Sequence, residues 1–175
     1  WHAGKSWWKH YKYLNRYSIG IEINNPGHDY KYKKFSKKQI QSLIKLSKIL
    51  IKKYKINFKN VLGHSDIAPE RKKDPGEKFP WKELAKRGIG IWHSISIQKL
   101  KKNRKIELDK ISENIFYNNL SKLGYVVKKN DNLKNRKFNN YIIKAFQRRF
   151  RQELVNGKLD KECLIISNNL AKKFS

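Results

Sequence analysis

The sequence predicts an α/β unit followed by a small all-α unit, and three observations carry that reading. "SIGIEIN" (residues 18–24) sets Ile19, Ile21 and Ile23 against Gly20 and Glu22, the period of two that marks a strand. "FSKKQIQSLIKLSKILIKKYKI" repeats apolar residues at spacings of three and four, the period of an amphipathic helix. Beyond residue 105 only helical patterns remain, separated by turn-like "KKNDN" and "VNGKLD".

Each element follows from local chemistry. In the first strand Glu22 points away from the three isoleucines and so toward something polar, a cleft wall. "NNPGHD" breaks that strand with a turn. The long helix starts at Ser36 as N-cap, with Gln39 at the capping-box position and Ile40, Leu43, Ile44, Ser47 and Leu50 or Ile51 on its apolar face. Its lysines fall on the other face, so it is expected to pack on a sheet and show its charge to water. "NVLGH" reads as a short buried strand, and Pro80 opens a short helix in "PWKELAKRG" that Gly88 ends. Residues 93–105 are Lys-rich with little periodicity and read as a linker. "LDKISENIFYNNLSKLGY", "NRKFNNYIIKAFQRRF" and "KLDKECLIISNNLAKKF" then predict a compact three-helix unit over 106–175.

Composition narrows the classes. Hydrophobic residues are 38% of the chain and aromatics 13%, enough to build a core, which excludes wholesale disorder. No apolar run approaches the roughly 18 residues that span a bilayer. Cys163 is the single cysteine, so an intrachain disulfide and a Cys-rich zinc module are excluded, and in "KECLIIS" it reads as a core residue. The net charge of +28 invites a nucleic-acid reading. The excess is mainly Lys spread along the chain among many Asn and Ile, a pattern that A/T-rich codons produce without a selected ligand, and no reader motif accompanies it. No specific nucleic-acid partner is expected. Attraction to anionic surfaces such as a bacterial envelope follows from the charge in any case.

The chemistry concentrates in "GHSDIAPERKKDPGEKFPW" (63–81), a loop punctuated by Pro69, Pro75 and Gly76. His64 and Asp74 lie in it ten positions apart, and hydrolytic zinc takes three ligands from such residue types, leaving a place for water. Spacing by itself also fits a surface pair or a capping Asp. The longer pattern is more specific. "WHAG", "SIGIEI", "GHSDIAPERKKDPG", "FPW" and "GIGIW" occur in one order and resemble the zinc-dependent N-acetylmuramoyl-L-alanine amidases of the AmpD/AmiD type over residues 1–92. "LGY", "AFQRRFR" and "NGKLD" resemble the peptidoglycan-binding domain that follows the amidase domain in AmiD-type enzymes.

The resemblance implies a mixed sheet with flanking helices, incomplete at the N-terminus, and a Zn2+ cofactor. It makes His64 and Asp74 metal ligands, Glu22 and Lys72 the catalytic pair, and Trp1 with His2 part of the substrate groove. It implies hydrolysis of the amide joining N-acetylmuramic acid, in ordinary or 1,6-anhydro form, to L-alanine of the stem peptide. Zinc-activated water would attack, Glu22 acting as general base and Lys72 stabilising the oxyanion. Asp66 is placed to orient a ligand or to cap the loop, while His10, His28 and His93 match nothing specific. Tyr125, Phe146 and Phe150 fit either a ligand groove or the core, and the two Phe favour the core.

In that family a first histidine ligand stands on an early strand, and here it is expected upstream of Trp1. The chain starts with Trp and contains no Met, so a processed protein or a fragment is expected. It should then bind zinc weakly and be inactive by itself, with residues 1–92 poorly folded alone and 106–175 folding independently. A catalytically silent peptidoglycan-binding protein is the alternative. The expected partners are peptidoglycan and muropeptides, the expected state a monomer, and the expected location the periplasm or outer membrane, with or without a lipid anchor.

Overall fold

The computed structural model describes residues 1–175. Two short strands, β1 (Trp7–Trp8) and β2 (Tyr11–Lys12), pair antiparallel, Trp7 opposite Lys12 and Trp8 opposite Tyr11. Seven helices follow: α1 (Lys37–Tyr54), α2 (His64–Ile67), α3 (Trp81–Lys86), α4 (Ile97–Lys102), α5 (Lys110–Leu123), α6 (Leu133–Phe150) and α7 (Lys161–Phe174). Single 3-10 turns at Leu14–Arg16 and Phe58–Asn60 complete the regular structure.

Helix α1 forms as its sequence requires. The Ser36 hydroxyl accepts the Gln39 amide N–H and the Gln39 side chain accepts the Ser36 N–H, closing the capping box. Its buried stripe is Ile40, Leu43 and Ser47, and its lysines are exposed. The stripe packs on Phe79, Trp81, Leu84 and Ile89, which belong to α3 and its flanks, and not on a sheet. Two expected strands are absent for one reason. A strand exists by pairing, and neither 18–24 nor "NVLGH" has a neighbouring strand. No backbone–backbone hydrogen bond involves residues 18–24. Ile19 and Ile21 lie 48% and 40% exposed, so the inferred apolar face does not exist, and only Ile23 reaches the α1–α3 cluster. The predicted mixed sheet is therefore reduced to the β1–β2 pair.

The three C-terminal helices appear where predicted, each started by a side-chain cap from Asp109, Asn132 or Asp160. The stretch 93–105 is not a plain linker. Ser96 caps α4, Leu100 enters the main core, and the Arg104 guanidinium forks onto Glu162 at 2.7 and 2.9 Å. That core joins Ala3, Trp8, Leu14 and Ile91 to Phe116, Phe138, Phe146, Cys163 and Leu170 without a break. The β1–β2 hairpin seats directly on the end of α5. Gly124 takes φ +120°, its carbonyl accepts the Lys9 N–H at 2.7 Å, and a Cβ there would lie 2.6 Å from the Trp8 ring. Cys163 is fully buried and its thiol is pushed up to about 12 by desolvation, which bears out the core reading. No helix is long and apolar enough to cross a membrane.

His93 gives a pH test of this packing. Burial, helped by the charge of Lys82, pushes its imidazole from the ordinary 6.5 down to about 4, and its buried Nδ1 has no partner. Between those values the unfolded chain takes up a proton that the folded chain refuses, so stability falls as pH drops through that window. The expected result is a melting temperature lower at pH 4.5 than at pH 7, with His93→Phe, which keeps the stack on Trp92, reducing the difference.

Candidate metal and catalytic site

The loop 63–78 is held from three sides. Its opening turn is α2, started at Gly63, where the Gly63 N–H reaches Asp66 Oδ2 at 2.8 Å. A Cβ at Gly63 would sit 2.8 Å from Pro75 Cδ and 3.2 Å from the Trp81 ring, so only glycine lets the two ends of the loop approach. The Ser65 N–H donates to the Asp74 carbonyl at 2.9 Å. These contacts turn His64 toward Asp74, Nδ1 to Oδ2 at 3.1 Å, with the ring mostly buried and the carboxylate about half exposed.

An imidazole nitrogen and a carboxylate oxygen about 3 Å apart are spaced as two ligands of one zinc ion with arms of about 2 Å. The donor set suits zinc, and no third His, Cys, Asp or Glu joins it within residues 1–175. Burial by itself would raise the Asp74 carboxyl. The His64 hydrogen bond and charge, with the charge of Lys72, outweigh burial and hold it below the usual carboxylate range. Asp74 is thus ionised, as a ligand must be.

Other predicted residues lie around this pair unevenly. Lys72 is half-buried and its charge reaches Asp74. His2 packs on the 18–20 segment, Nε2 to the Ser18 hydroxyl at 2.8 Å, and a Cβ at Gly20 would meet its ring at 2.5 Å. The next residue, Ala3, presents its carbonyl to His64 Nε2 at 3.3 Å. Trp1 is fully exposed. Glu22 is exposed and is not joined to His64 or Asp74 by a hydrogen bond or ion pair; it follows Gly20 by two positions on the segment that His2 touches.

A profile of the N-acetylmuramoyl-L-alanine amidases matches residues 1–77. AmiD of Escherichia coli is 37% identical over 99% of the chain, which spans 64% of that protein's length. The anhydro-N-acetylmuramyl-L-alanine amidase AmpD of Enterobacter cloacae is 42% identical over 46% of the chain and 41% of its own length. The solved complex of Escherichia coli AmiD with anhydro-N-acetylmuramic acid-L-Ala-D-γ-Glu-L-Lys superposes with a TM-score of 0.84 at 38% identity, covering 99% of this chain and 68% of that one. The chain belongs to the N-acetylmuramoyl-L-alanine amidase family. A further amidase-like structure, from Pseudomonas aeruginosa with an anhydromuramic pentapeptide, gives 0.81 at 33% identity over 99% of this chain and 69% of that one.

Around the amidase loop the structure adds residues that the sequence did not single out. Arg71 donates to the carbonyls of Ala3 and Lys5 and lies 3.5 Å from His64 Nε2, clamping "WHAG" onto the loop. Tyr32 donates to the Pro75 carbonyl at 2.6 Å and accepts the Lys78 N–H at 2.9 Å. Burial raises its phenol to about 12, keeping that donor protonated. His28, read as unspecific, stacks on Tyr32 and pairs with Glu77 at 2.9 Å. Tyr125 does not line a groove. It is buried and donates to Asp66 Oδ1 at 2.6 Å, and Phe146 and Phe150 are core.

Replacing Arg71 by Ala removes the donors that hold Ala3 and Lys5. Amide exchange should quicken at Tyr13 and Leu14, which bond to Ser6, and stability should fall by about 1–2 kcal/mol, read by denaturant melts.

Proposed function

We propose that the protein is a zinc hydrolase that cleaves the amide between N-acetylmuramic acid, ordinary or 1,6-anhydro, and L-alanine of the stem peptide. The observation that carries this is the approach of His64 to Asp74 at 3.1 Å within a loop of the amidase family. The muropeptides bound in two related structures support the substrate class. His64 and Asp74 would supply two of the three protein ligands that a hydrolytic zinc ion takes. When bound, zinc polarises the scissile carbonyl and acidifies the attacking water.

The remaining roles fall to side chains of this chain. Glu22, exposed and free of ion pairs, takes the proton of the attacking water and delivers it to the departing amine nitrogen. The Lys72 ammonium stabilises the negative charge growing on the carbonyl oxygen. Trp1, fully exposed, and His2 bind the glycan or peptide beside them. Residues 1–92 form the catalytic part and 106–175 the wall-binding part. The place of action would be the envelope, periplasm or outer membrane, a reading that rests on the resemblance of the C-terminal unit to that of AmiD-type enzymes. The net charge of +28 adds only a general attraction to anionic surfaces.

Glu22→Gln in the natural gene product tests the assignment. The expected result is a kcat lower by about 10²–10⁴-fold with zinc and muropeptide binding retained. Unchanged turnover would put the base elsewhere. A wild-type protein that binds walls and zinc but never releases stem peptide would replace the hydrolase by a binding protein. His64→Ala and Asp74→Ala should each weaken zinc affinity, measured by chelator competition.

A further inference from the structure

Two residues after the candidate ligand His64, the Asp66 carboxylate is buried and engaged by two groups distant in sequence and by one from its own turn. Its Oδ1 accepts the Tyr125 hydroxyl at 2.6 Å, and its Oδ2 accepts Arg149 at 2.5 Å together with the Gly63 N–H at 2.8 Å. Arg149, from α6, also donates to the Val61 carbonyl at 2.9 Å and lies over the Trp81 ring at 4.2 Å. One guanidinium therefore fastens both sides of the turn on which His64 stands, residue 61 before it and residue 66 after it. We infer that Asp66, Arg149 and Tyr125 are positioning residues for the metal site: the C-terminal helices set the direction in which His64 faces Asp74.

The argument rests on the geometry of a single helical turn. His64 sits between Gly63, bonded to Asp66, and Ser65, bonded to the Asp74 carbonyl. Rotation of α2 about its axis would break the Asp66 bonds and the Ser65 bond together. Asp66 and Arg149 are both almost wholly buried, each 2% exposed in its side chain, so water cannot replace a lost partner. Lysine at 149 keeps the charge but offers no planar fork to bridge Val61 and Asp66. Partners that orient a ligand through a second layer typically change metal affinity or activity by about 10–100-fold when removed. The C-terminal helices thus act on the catalytic loop in addition to any wall contact they make.

This inference rests on the zinc-hydrolase reading, and the test separates the two. Tyr125→Phe and Arg149→Lys are made in the natural gene product, with Arg151→Lys as control. Arg151 forms an equally buried pair with Asp160, confined to the C-terminal helices. Zinc affinity by chelator competition, melting temperature, and kcat and KM on a muropeptide are read for each. The expected result is folded Tyr125→Phe and Arg149→Lys proteins whose zinc affinity and kcat fall about 10-fold with KM little changed. Arg151→Lys should lower the melting temperature and leave zinc affinity as it was. Zinc affinity and kcat within about twofold of wild type in folded Tyr125→Phe would overturn the inference even if Arg149→Lys fails to fold. Equal loss of zinc affinity in Arg151→Lys would also overturn it, by showing a general loss of stability. A wild type that binds zinc without cleaving muropeptide would sink the hydrolase reading and leave the affinity comparison to decide the positioning role.

Discussion

The buried pair of Asp66 and Arg149 is the constraint on which the rest of the structure turns. Removing two charges from water costs several kcal/mol per ion, and their attraction offsets it only when the remaining polar atoms are also satisfied. Here they nearly are. Asp66 receives three donors, and Arg149 finds a backbone carbonyl, an aromatic face and a carboxylate, leaving Nε alone without a partner. Desolvation, reinforced by the charge of Asp66, pushes the Tyr125 phenol well above its ordinary value, so it stays a donor. Breaking such a pair strands a buried charge, at a cost of about 3–5 kcal/mol. A pair of that stringency allows few relative placements of loop and helix.

The chain divides its cations by position. Every ion pair uses Arg or His: Arg104, Arg149 and Arg151 hold Glu153, Glu162, Asp66 and Asp160, while His28 and His64 hold Glu77 and Asp74. No lysine forms one. Planar, weakly hydrated guanidinium tolerates burial and forks onto carboxylates, whereas ammonium keeps its water. Six of the 14 carboxylates thus form internal links, and the lysine excess stays on the surface. This fits the reading of the net charge as solvated surface and leaves wall attraction as a long-range, salt-sensitive effect.

What could be read from the sequence was what is encoded locally. The Ser36–Gln39 box and the helical periods of α5 to α7 depend on neighbouring residues, whereas His64 and Asp74, ten positions apart, are picked out by the family resemblance and not by their spacing. The strands at 18–24 and "NVLGH" failed because a strand is defined by a partner that its own residues do not contain. Residues 93–105 were misjudged for a related reason: α4 has a good cap in Ser96 but is too short to show a period, and Leu100 alone marks its buried side. Arg149 was hidden inside "QRRF", where Arg148 beside it looks the same. Only the docking of α6 behind the loop separates the two.

The two halves of the proposed catalytic arrangement are held by different parts of the molecule. His64 and Asp74 are fixed from behind by α6 through Asp66. Glu22 lies on a span without backbone pairing that is tied at its ends. At one end the Ser18 hydroxyl donates to the Leu14 carbonyl, and at the other the Gln39 side chain donates to the Asn24 carbonyl at 2.7 Å. That Gln39 is the same residue that closes the cap of α1, so the helix start and the end of the Glu22 span are fixed together. His2 lies against Gly20 midway along it, and Ala3 next to it touches His64. "WHAG" is therefore in contact with both halves, and Arg71, which clamps it, links the Glu22 span to the 63–78 loop. The distance between Glu22 and the scissile bond would then be set by these few side-chain contacts, a looser constraint than the sealed charge pair that holds the ligands.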